Sequence, residues 1–513
     1  MYSRLMSFSV FGINAFAVEI ETHLENALPA FLMVGLPDSA VRESRERVSA
    51  AIKNSNFTFP NKKITVNLAP ADIRKEGSAF DLPIAIGVLV AMGIIEQSRV
   101  EKTAILGELA LDGSLRPVHG ALSIAIEAKK KGFERILVPA QNADEAGLVS
   151  GIAVIPLDSL IQAVDYLVGV TTIAPRVVDV ESMFLDNGKH SAFDLADVKG
   201  QENVKRAMEV AAAGGHNIIM IGPPGSGKTM LAKRLPSILP PLSLGEALET
   251  TKIHSVAGLL PSGVALVTQR PFRAPHHTIS DAALVGGGIG IVRAGEISLS
   301  HHGILFMDEL PEFARNVLEV LRQPLEDKRI TISRTKMTVD FPANFMLVCS
   351  MNPCPCGNFG NPSQQCTCTP PSIQKYMARI SGPLLDRIDI HCEVPTVKYQ
   401  DLSSGRVGET SAAVRARVVK AREIQAERFE GKHVYKNADM ASKDIRHFCK
   451  LDEAGEALIK IAMTKLGLSA RAFDRILKVA RTIADLEASP SIQPQHVSEA
   501  IQYRSLDRQY WNA

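Results

Sequence analysis

The residues with the clearest chemical use form the glycine-rich loop GPPGSGKT at 222–229, which follows the apolar run NIIMI and precedes a helical run that Pro236 ends. In such a loop, backbone N–H groups turn inward around phosphates at a helix N-terminus. The lysine reaches the β and γ phosphates, and the threonine hydroxyl ligates Mg²⁺. The loop therefore predicts an ATP and Mg²⁺ site built from Gly222, Pro223, Pro224, Gly225, Ser226, Gly227, Lys228 and Thr229.

Further polar residues follow two apolar runs that have the composition of buried strands. Asp308 and Glu309 end the run ILFM, and Asn352 lies just after the run FMLVCS. An acidic pair in this place can hold Mg²⁺ through Asp308 and polarise the attacking water through Glu309. The alternative for Asp308 is a helix N-cap. Asn352 either orients the water or the γ-phosphate, or caps a turn. With the phosphate loop, these residues predict ATP hydrolysis.

A cluster of cysteines forms a second candidate site in the segment 354–368, which is rich in Pro, Asn and Gly. Its members are Cys354, Cys356, Cys366 and Cys368. Four thiolates suit tetrahedral Zn²⁺, which would fold a loop too polar to hold itself together. Cys-x-Cys spacing is less usual than Cys-x-x-Cys, so free or redox-active thiols are the alternative. We expect a structural zinc site.

The order of strand-like and helical runs predicts an α/β protein. Residues 1–170 alternate the two kinds of run, and residues 171–192 contain Pro and Asn-Gly without clear periodicity, as in a linker. Residues 193–400 read strand, glycine-rich loop, helix and further strands, which is the pattern of a parallel sheet with crossover helices. Residues 401–513 are predominantly helical. The nucleotide motifs all fall in the third segment.

Composition excludes several classes of protein. The 513 residues are 46% hydrophobic and 22% charged, close to average globular usage, which excludes disordered and fibrous chains. The longest apolar run, 82–95, is shorter than the ~18 residues that span a bilayer and predicts a buried core helix. The N-terminus does not match a signal peptide. We expect a cytoplasmic protein with no membrane partner, and its net charge of +2 permits a polyanion partner without indicating one.

Longer motifs carry a resemblance to a known family. They are RPFRAPHHT at 270–278, SDAALVGGG at 280–288, GEISLSHHGILFMDELPEF at 295–313 and LLDRIDI at 384–390. Together with the phosphate loop, they resemble the magnesium-chelatase-like branch of the AAA+ ATPases, and nearly the whole chain is similar to the YifB/ComM proteins of that branch. The resemblance implies an AAA+ P-loop core with a parallel sheet, followed by a C-terminal helical lid domain.

In this branch the resemblance implies a homo-oligomeric ring, commonly a hexamer, in which a neighbouring subunit completes each ATP site. Arg387 matches the arginine-finger position, and Arg471 in SARAFDR matches the sensor-2 position. Both would contact the γ-phosphate across the subunit interface. From the residues alone, Arg387 would instead be a surface ion-pair partner of Asp386 or Asp389.

Two stretches between the ATP motifs would line the pore of such a ring. Residues 326–345 predict a hairpin with Arg334 and Lys336 at or beside its tip. The family's helix-2 insert corresponds to 253–300, where Arg293 follows a flexible glycine run. We expect these three cations to contact a DNA phosphate backbone. The alternative for each of them is simple solubility.

The N-terminal segment, 1–170, resembles the proteolytic domain of Lon and its relatives, and the same resemblance implies that it is inactive. The Lon-type motif KDGPSAG corresponds to KEGSAFD at 75–81, where Ala79 stands at the position of the nucleophile and Ser78 lies one place early. Leu122 stands at the position of the catalytic lysine. A Ser-Lys mechanism needs an amine beside the hydroxyl, so we expect an assembly or DNA-guiding module.

The resemblance implies a ring-forming DNA motor with helicase and branch-migration activity, acting on single-stranded or branched DNA during homologous recombination of incoming DNA in natural transformation. The alternative from another class is a chelatase-type AAA+ motor that remodels a protein partner. The pore cations and the fused Lon-like domain favour DNA, because the chelatase motor subunit normally lacks that domain. An ATP-dependent protease is opposed by Ala79 and Leu122.

Overall fold

The computed structural model describes most of the chain. Its described residues are 1–75, 77–185, 193–261, 263–288, 292–334, 337–361, 364–397, 408–432, 434–466 and 468–504. Lys336, the side chain of Arg334 and the linker residues 186–192 lie outside this part of the chain. No helix in the described ranges is long and apolar enough to cross a membrane.

A seven-stranded sheet of mixed direction organises the N-terminal part of the chain, with the order β3-β4-β2-β1-β5-β8-β9. The strands of this sheet are β1 Tyr2–Phe11, β2 Asn14–Glu25, β3 Ala30–Val34, β4 Lys63–Ala69, β5 Thr103–Ile105, β8 Arg135–Pro139 and β9 Ala153–Leu157. A separate two-stranded ribbon consists of β6 Glu108–Leu109 and β7 Leu115–Arg116. Strand β2 pairs antiparallel with β1 and β4, and the other neighbours are parallel. Along β4, buried residues alternate with half-buried ones, as expected for a strand with one face on the core.

Helices pack on this sheet and between it and the next domain. They are α1 Ser39–Asn54, α2 Asp81–Ala91, α3 Ala121–Lys130, α4 Ala143–Ala146, α5 Leu160–Val168 and α6 Val180–Leu185. Every residue of α2 is buried, which confirms the core helix predicted from the apolar run 82–95. Helix α6 lies inside the segment predicted to be a linker, and its Met183 and Phe184 pack against a small apolar cluster around Leu242 and Leu266.

A five-stranded sheet, with the order β11-β14-β17-β10-β18, forms the core that carries the nucleotide motifs. The strands of this part of the chain are β10 Ile218–Ile221, β11 Phe272–Arg273, β12 Gly286–Gly287, β13 Arg293–Ala294, β14 Ile304–Met307, β15 Arg329–Arg334, β16 Met337–Pro342, β17 Met346–Met351 and β18 Ile390–Glu393. All neighbours in the five-stranded sheet are parallel. Its strands β10, β14 and β17 are buried throughout, as in a sheet with both faces covered. Their carboxyl ends therefore meet at one edge.

Short helices surround the core sheet. They are α7 Glu202–Gly214, α8 Lys228–Ala232, α9 Leu244–Val256, α10 Asp281–Val285, α11 Glu296–Leu299, α12 Arg315–Glu319, α13 Arg322–Asp327, α14 Pro370–Met377 and α15 Gly382–Leu385. Ser243 begins α9 with a capping box, in which its hydroxyl accepts from the Glu246 N–H and the Glu246 carboxylate accepts from the Ser243 N–H. Strands β15 and β16 pair as a hairpin where the sequence predicts one.

The C-terminal part of the chain is helical in its described residues. Its helices are α16 Ser411–Arg428, α17 Ser442–Phe448, α18 Glu453–Leu466, α19 Ala470–Leu486 and α20 Pro494–Gln502. Apolar residues of α16 and α19 join those of α7 in one buried cluster, so these helices pack directly on the core domain. The mixed α/β architecture with a parallel sheet is thus the one predicted.

The N-terminal domain contacts the core through buried polar groups. The Ser255 hydroxyl at the end of α9 hydrogen-bonds to the Glu145 carboxylate and accepts from the Gly120 N–H at 3.0 Å. The same carboxylate oxygen of Glu145 accepts from the Leu122 N–H at 2.7 Å. Leu122, which the resemblance to Lon aligns with a catalytic lysine, therefore lies at a domain contact.

Candidate nucleotide and metal sites

The phosphate loop connects β10 to α8 at the carboxyl edge of the core sheet. Its backbone bends tightly at Gly225 and Gly227, whose φ angles of +74° and +89° lie in the left-handed region that favours glycine. Lys228 donates from Nζ to the carbonyl oxygens of Gly222 at 2.8 Å and Pro223 at 2.9 Å. Burial lowers the pKa of Lys228. A partly buried ammonium held mainly by carbonyls is well placed to bind a phosphate instead.

Thr229 in α8 and Asp308, which follows β14, are brought together. The Thr229 hydroxyl donates to Oδ2 of Asp308 at 2.7 Å, and the Ser350 hydroxyl hydrogen-bonds to its other oxygen. Hydroxyl and carboxylate oxygens are the ligands that Mg²⁺ prefers, and the ion usually keeps several waters and substrate phosphates as well. Thr229 and Asp308 therefore fit a Mg²⁺ site next to the phosphate loop. Sequence reasoning did not identify Ser350 as a site residue, although it is the last residue of the run FMLVCS.

Glu309, the predicted water-activating residue, sits in an unusual backbone conformation. Its φ angle is +54°, which costs a residue with a Cβ about 1–3 kcal/mol and persists only where the surroundings impose it. The side chain is 57% exposed, and its carboxylate lies 3.9 Å from Nδ1 of His277. The His277 ring packs edge-on against Phe313. His277, which lies in the motif RPFRAPHHT, is a neighbour of Glu309 that sequence reasoning missed.

Asn352 follows β17 and reaches the phosphate loop. Its Oδ1 accepts from Lys228 Nζ at 3.2 Å. Lys228, Thr229, Asp308 and Asn352 are therefore gathered at one edge of the sheet, with Glu309 beside them. This arrangement can bind phosphates and a divalent cation, and it exposes a carboxylate to water.

Arg387 and Arg471 lie elsewhere. Arg387 precedes β18 and so stands at the amino edge of the sheet, whereas the phosphate loop stands at the carboxyl edge, a strand length of ~13 Å away. Its guanidinium hydrogen-bonds to Glu326 and donates to the Pro383 carbonyl at 2.5 Å. Arg471 is 66% exposed in its side chain and lies 3.6 Å from Asp386. Neither of these contacts involves the phosphate loop of the same chain.

The ion-pair partner of Arg387 differs from the partners considered for it. Glu326 on α13 pairs with Arg387, while Asp386 pairs with Arg471 and Asp389 with Arg475. Sequence distance suggested Asp386 or Asp389, but the fold brings a residue of a distant helix closer. The Nε of Arg387 is buried and has no hydrogen-bond partner among the described residues.

The cysteine cluster converges as the sequence predicts. Its Sγ atoms lie within 4.8 Å of one another, with separations of 3.3 Å for Cys354 and Cys356, 3.7 Å for Cys354 and Cys366, and 3.6 Å for Cys356 and Cys366. A tetrahedral Zn²⁺ with Zn–S bonds of about 2.3 Å requires separations near 3.8 Å. The Cys356 N–H points to Sγ of Cys368 at 3.4 Å, which favours a thiolate. The four residues fit a zinc ion.

The cysteine loop packs against the phosphate loop. A Cβ added to Gly357 would lie 2.4 Å from Cδ of Pro224, so the Gly357 backbone and the Pro224 ring are too close for any residue but glycine at position 357. The φ of Gly357 is +81°, which also favours glycine. A metal that orders the cysteine loop would therefore also support one wall of the nucleotide site.

Glu249, His301 and His302 also have side chains that can ligate a metal. However, the ring proton of His301 is on the nitrogen that would bind the metal. Nε2 of His301 and Nε2 of His302 lie 3.2 Å and 2.8 Å from one carboxylate oxygen of Glu249. The Asn344 N–H donates to Nδ1 of His301 at 3.0 Å, so the ring proton of His301 sits on Nε2 and is donated to Glu249. Burial lowers the pKa of His301 to about 4, which keeps the ring neutral. This cluster is a hydrogen-bond network.

The predicted pore cations are described only in part. Arg293 is exposed at the start of β13, close to the hairpin of β15 and β16, since Val292 and Ala294 share an apolar cluster with residues of that hairpin. Phe11 and Ile13 of the N-terminal domain join the same cluster. Arg334 ends β15, and Lys336 lies outside the described residues.

Ser78 of the N-terminal domain pairs with a carboxylate among the described residues. Its hydroxyl hydrogen-bonds to the Glu108 carboxylate. The ammonium of Lys75, which is fully buried, hydrogen-bonds to the Pro70 carbonyl and donates to the Ile73 carbonyl at 2.8 Å. Ala79 lies beside Ser78, at the position where the nucleophile was expected. The expected lack of peptidase activity stays a prediction.

Comparison with known proteins finds related family models along most of the chain. Three family models match: "Subunit ChlI of Mg-chelatase" over residues 20–142, "Magnesium chelatase, subunit ChlI" over 194–402, and "Magnesium chelatase, subunit ChlI C-terminal" over 408–504. Competence protein ComM of Haemophilus influenzae is 46% identical over 511 residues, covering 99% of this chain and 97% of its own. The chain belongs to the YifB/ComM family of magnesium-chelatase-like proteins.

Two other relatives show how far the likeness extends. The protein YifB of Escherichia coli is 46% identical over 500 residues, which is 97% of this chain and 96% of YifB. A Lon protease of Metamycoplasma arthritidis is 23% identical over 145 residues, 27% of this chain and 17% of the protease. Membership of the YifB/ComM family makes the chain a ComM-like AAA+ protein and indicates an ATPase that uses ATP and Mg²⁺. The residues at the carboxyl edge of the sheet are those such an activity requires.

Proposed function

We propose that this chain is an ATP-driven, ring-forming DNA motor with helicase and branch-migration activity. It would promote homologous recombination of incoming DNA during natural transformation in the cytoplasm. The observation that carries the proposal is the separation of Arg387 and Arg471 from the phosphate loop of their own chain. Arginines that serve the γ-phosphate from the opposite edge of the sheet need a second subunit, so the proposed active unit is a closed ring such as a hexamer.

Each residue has a distinct role in the proposed reaction. Lys228 exchanges its carbonyl contacts for the β and γ phosphates, while Thr229 and Asp308 hold the Mg²⁺ that neutralises them. Glu309 orients the attacking water, and Asn352 fixes the end of Lys228 and the γ-phosphate. Arg387 and Arg471 of a neighbouring subunit stabilise the charge that develops on the transferred phosphoryl group.

DNA is the proposed substrate of the pore. Arg293 begins the short strand β13 and Arg334 ends the hairpin strand β15, both between the nucleotide motifs in the sequence, and Lys336 is close to Arg334 in sequence but lies outside the described residues. A motor that steps along DNA grips the backbone through such cations and shows little sequence preference. The relative named Competence protein ComM supports a role in competence, since that name belongs to a protein similar to this one over almost its full length.

The N-terminal domain is proposed to be an inactive Lon-like module that assembles the ring or guides DNA. Its contact with α9 through Glu145 and Ser255 ties it to the ATPase core. We expect no ATP-dependent degradation of casein, and degradation that disappears in Ser78→Ala would contradict this assignment.

We also propose that Cys354, Cys356, Cys366 and Cys368 bind one structural Zn²⁺. The separations of their sulfur atoms are close to those of a tetrahedral thiolate site. Bound there, the ion would hold together a polar loop that packs on Pro224. The proposed zinc has no part in hydrolysis itself.

A second candidate function is a motor that remodels a protein partner. The three family models, all of magnesium chelatase subunits, favour it. The deciding experiment measures the ATPase rate of the full chain without nucleic acid and with single-stranded, duplex and forked DNA, and in parallel the unwinding of labelled forks. Stimulation by DNA together with ATP-dependent unwinding supports the DNA motor. An ATPase that neither responds to DNA nor binds forked or single-stranded DNA at low salt, with a non-hydrolysable ATP analogue present, would instead favour protein remodelling.

A further inference from the structure

The loop that presents Arg387 is held by buried polar groups from two directions. On one side stands Asn217, which immediately precedes β10. Its Nδ2 donates to the Arg387 carbonyl at 2.8 Å, and its own carbonyl accepts from the N–H groups of Asp389 at 3.0 Å and Ile390 at 3.1 Å. Its Oδ1 accepts from the Leu347 N–H at 2.8 Å. Each polar atom of the Asn217 side chain is therefore used to fix the backbone around Arg387 and β17.

On the other side, Arg475 of α19 pairs with the buried carboxylate of Asp389, two residues after Arg387. His216 lies 3.1 Å from the second oxygen of that carboxylate through Nδ1, and its Nε2 lies 2.8 Å from the Thr482 hydroxyl on the same helix. Burial lowers the pKa of His216, so a neutral ring donates from Nδ1 to Asp389. Burial works against ionisation of Asp389, but Arg475 and His216 hold its pKa below the ordinary value.

These contacts place a buried charge next to the loop of Arg387. Asp389 is 6% exposed in its side chain and ionised, which is costly unless its partners are fixed. The cost is incurred beside Arg387, whose described side-chain contacts do not involve the phosphate loop of its own chain. Asn217 also begins the strand that ends at the phosphate loop, so one residue touches both the arginine loop and the strand that carries the nucleotide site.

We propose that Asn217, Asp389 and Arg475 form a clamp that positions Arg387 for the nucleotide of the neighbouring subunit. They are positioning residues for hydrolysis, because they act through Arg387 and do not touch the nucleotide. This inference rests on the proposed function, in which Arg387 acts in trans. Through Asn217, the clamp links the strand of one nucleotide site to the arginine that serves the next site in the ring.

The first test replaces Arg475 and measures ATP binding and hydrolysis separately. We expect Arg475→Met to lower kcat about a hundredfold, because a displacement of about 1 Å can have that effect, while KM for ATP stays within about twofold. Arg475→Lys keeps a positive charge beside Asp389 and should recover part of the rate. Asn217→Asp retains an acceptor for the Leu347 N–H but places an oxygen against the Arg387 carbonyl, and it should also lower kcat with little change in KM.

Arg481→Met is the matched control. Arg481 lies on the same helix and is 4% exposed, and its guanidinium pairs with Asp485 at 3.1 Å without contacting the Arg387 loop. Its replacement removes a buried arginine–aspartate pair of the same kind. We expect Arg481→Met to lower the thermal unfolding temperature while the kcat of the folded protein changes little. An equal loss of kcat in Arg481→Met and Arg475→Met would show a general effect of helix stability and overturn the clamp.

Two further measurements distinguish a positioning role of Arg475 from a general role in the stability of the fold. In an Arg387→Ala background, Arg475→Met should cause no additional loss of kcat, because the clamp acts only through the arginine that is already absent. Mixed with Lys228→Ala subunits, Arg475→Met subunits should regain activity, since each supplies the half-site the other lacks. An additive loss in the double variant, or no recovery in a mixture in which Arg387→Ala recovers, would refute the clamp alone. A parental rate in Arg387→Ala would instead refute the trans arginine of the proposed function, and the clamp with it.

Discussion

At the carboxyl edge of the core sheet, Lys228, Thr229 and Asp308 lie together and fit phosphates and Mg²⁺, whereas at the amino edge Glu326 holds the Arg387 guanidinium and the Asn217 side chain holds its carbonyl. The first edge has groups that fit phosphates and Mg²⁺, but the described contacts of Arg387 and Arg471 do not include these groups. At the second edge, the two arginines pair with Glu326 and Asp386. If the proposed function is right, the difference means that a single chain holds halves of two different active sites, which a ring of identical chains would join.

The largest effects are expected at the carboxyl edge. Lys228→Ala should abolish ATP binding, whereas Glu309→Gln should bind ATP and fail to hydrolyse it, because phosphate binding and water activation belong to different side chains. Fluorescent ATP-analogue binding and phosphate release measure the two steps. Thr464→Ala, on the surface of α18, serves as a control with parental behaviour. Hydrolysis by Glu309→Gln at the parental rate would contradict the assignment of the acidic pair.

Substitution of Arg387 at the amino edge should reduce ATP hydrolysis without weakening ATP binding. Arg387→Ala is expected to leave nucleotide binding nearly intact and to reduce hydrolysis on the order of a thousandfold, as other arginine fingers do. Mixing it with Lys228→Ala subunits should restore part of the activity, because the intact edge of each variant can meet the intact edge of the other. Absence of recovery at every mixing ratio would argue that Arg387 acts within its own chain.

Loss of the proposed zinc ion is expected to have a smaller effect on ATP binding at the carboxyl edge. Purified protein should carry close to one zinc per chain, and Cys366→Ala should lose it. Because the cysteine loop packs on Pro224, loss of the metal should raise KM for ATP roughly tenfold, which corresponds to ~1.4 kcal/mol of binding energy. The same subunits should still donate Arg387 in mixtures with Arg387→Ala.

Cys449→Ala, which removes a buried cysteine outside the cluster, controls for the loss of a thiol in the zinc experiment. It should retain the metal and the parental KM. Metal-free protein from a reducing preparation, with four readily alkylated thiols, would exclude the zinc site.

The smallest effect is expected from cations that belong to neither edge. Arg293→Ala should weaken DNA binding without changing the ATPase rate in the absence of DNA, because Arg293 lies outside the nucleotide site. The slope of log affinity against log salt should flatten by a little under one unit for each DNA phosphate that the variant no longer neutralises. Lys460→Ala, an exposed cation on α18, is the matched control. An unchanged slope in Arg293→Ala would contradict a contact between Arg293 and DNA and would favour the alternative that Arg293 serves solubility.

Local patterns in the sequence were sufficient for the elements that carry the carboxyl edge. The glycine-rich loop, the apolar runs before Asp308 and Asn352, and the buried helix α2 are all encoded within a few residues, since strand burial and phosphate-loop geometry depend on local residue type. The hairpin of β15 and β16 and the helices after 411 follow from the same local signals. The convergence of four cysteines was also foreseeable, because all of them lie on one short loop.

The tertiary structure alone decided which distant side chains meet. Nothing in the sequence near Arg387 indicates Glu326 as its partner, or Asn217 as the residue that fixes its loop, because both come from elements far along the chain. The same is true of His277 beside Glu309, Ser350 on Asp308, and the proton on His301, which is set by a backbone N–H of Asn344. These contacts depend on how strands and helices pack across the sheet, and a pattern of neighbouring residues does not contain that information.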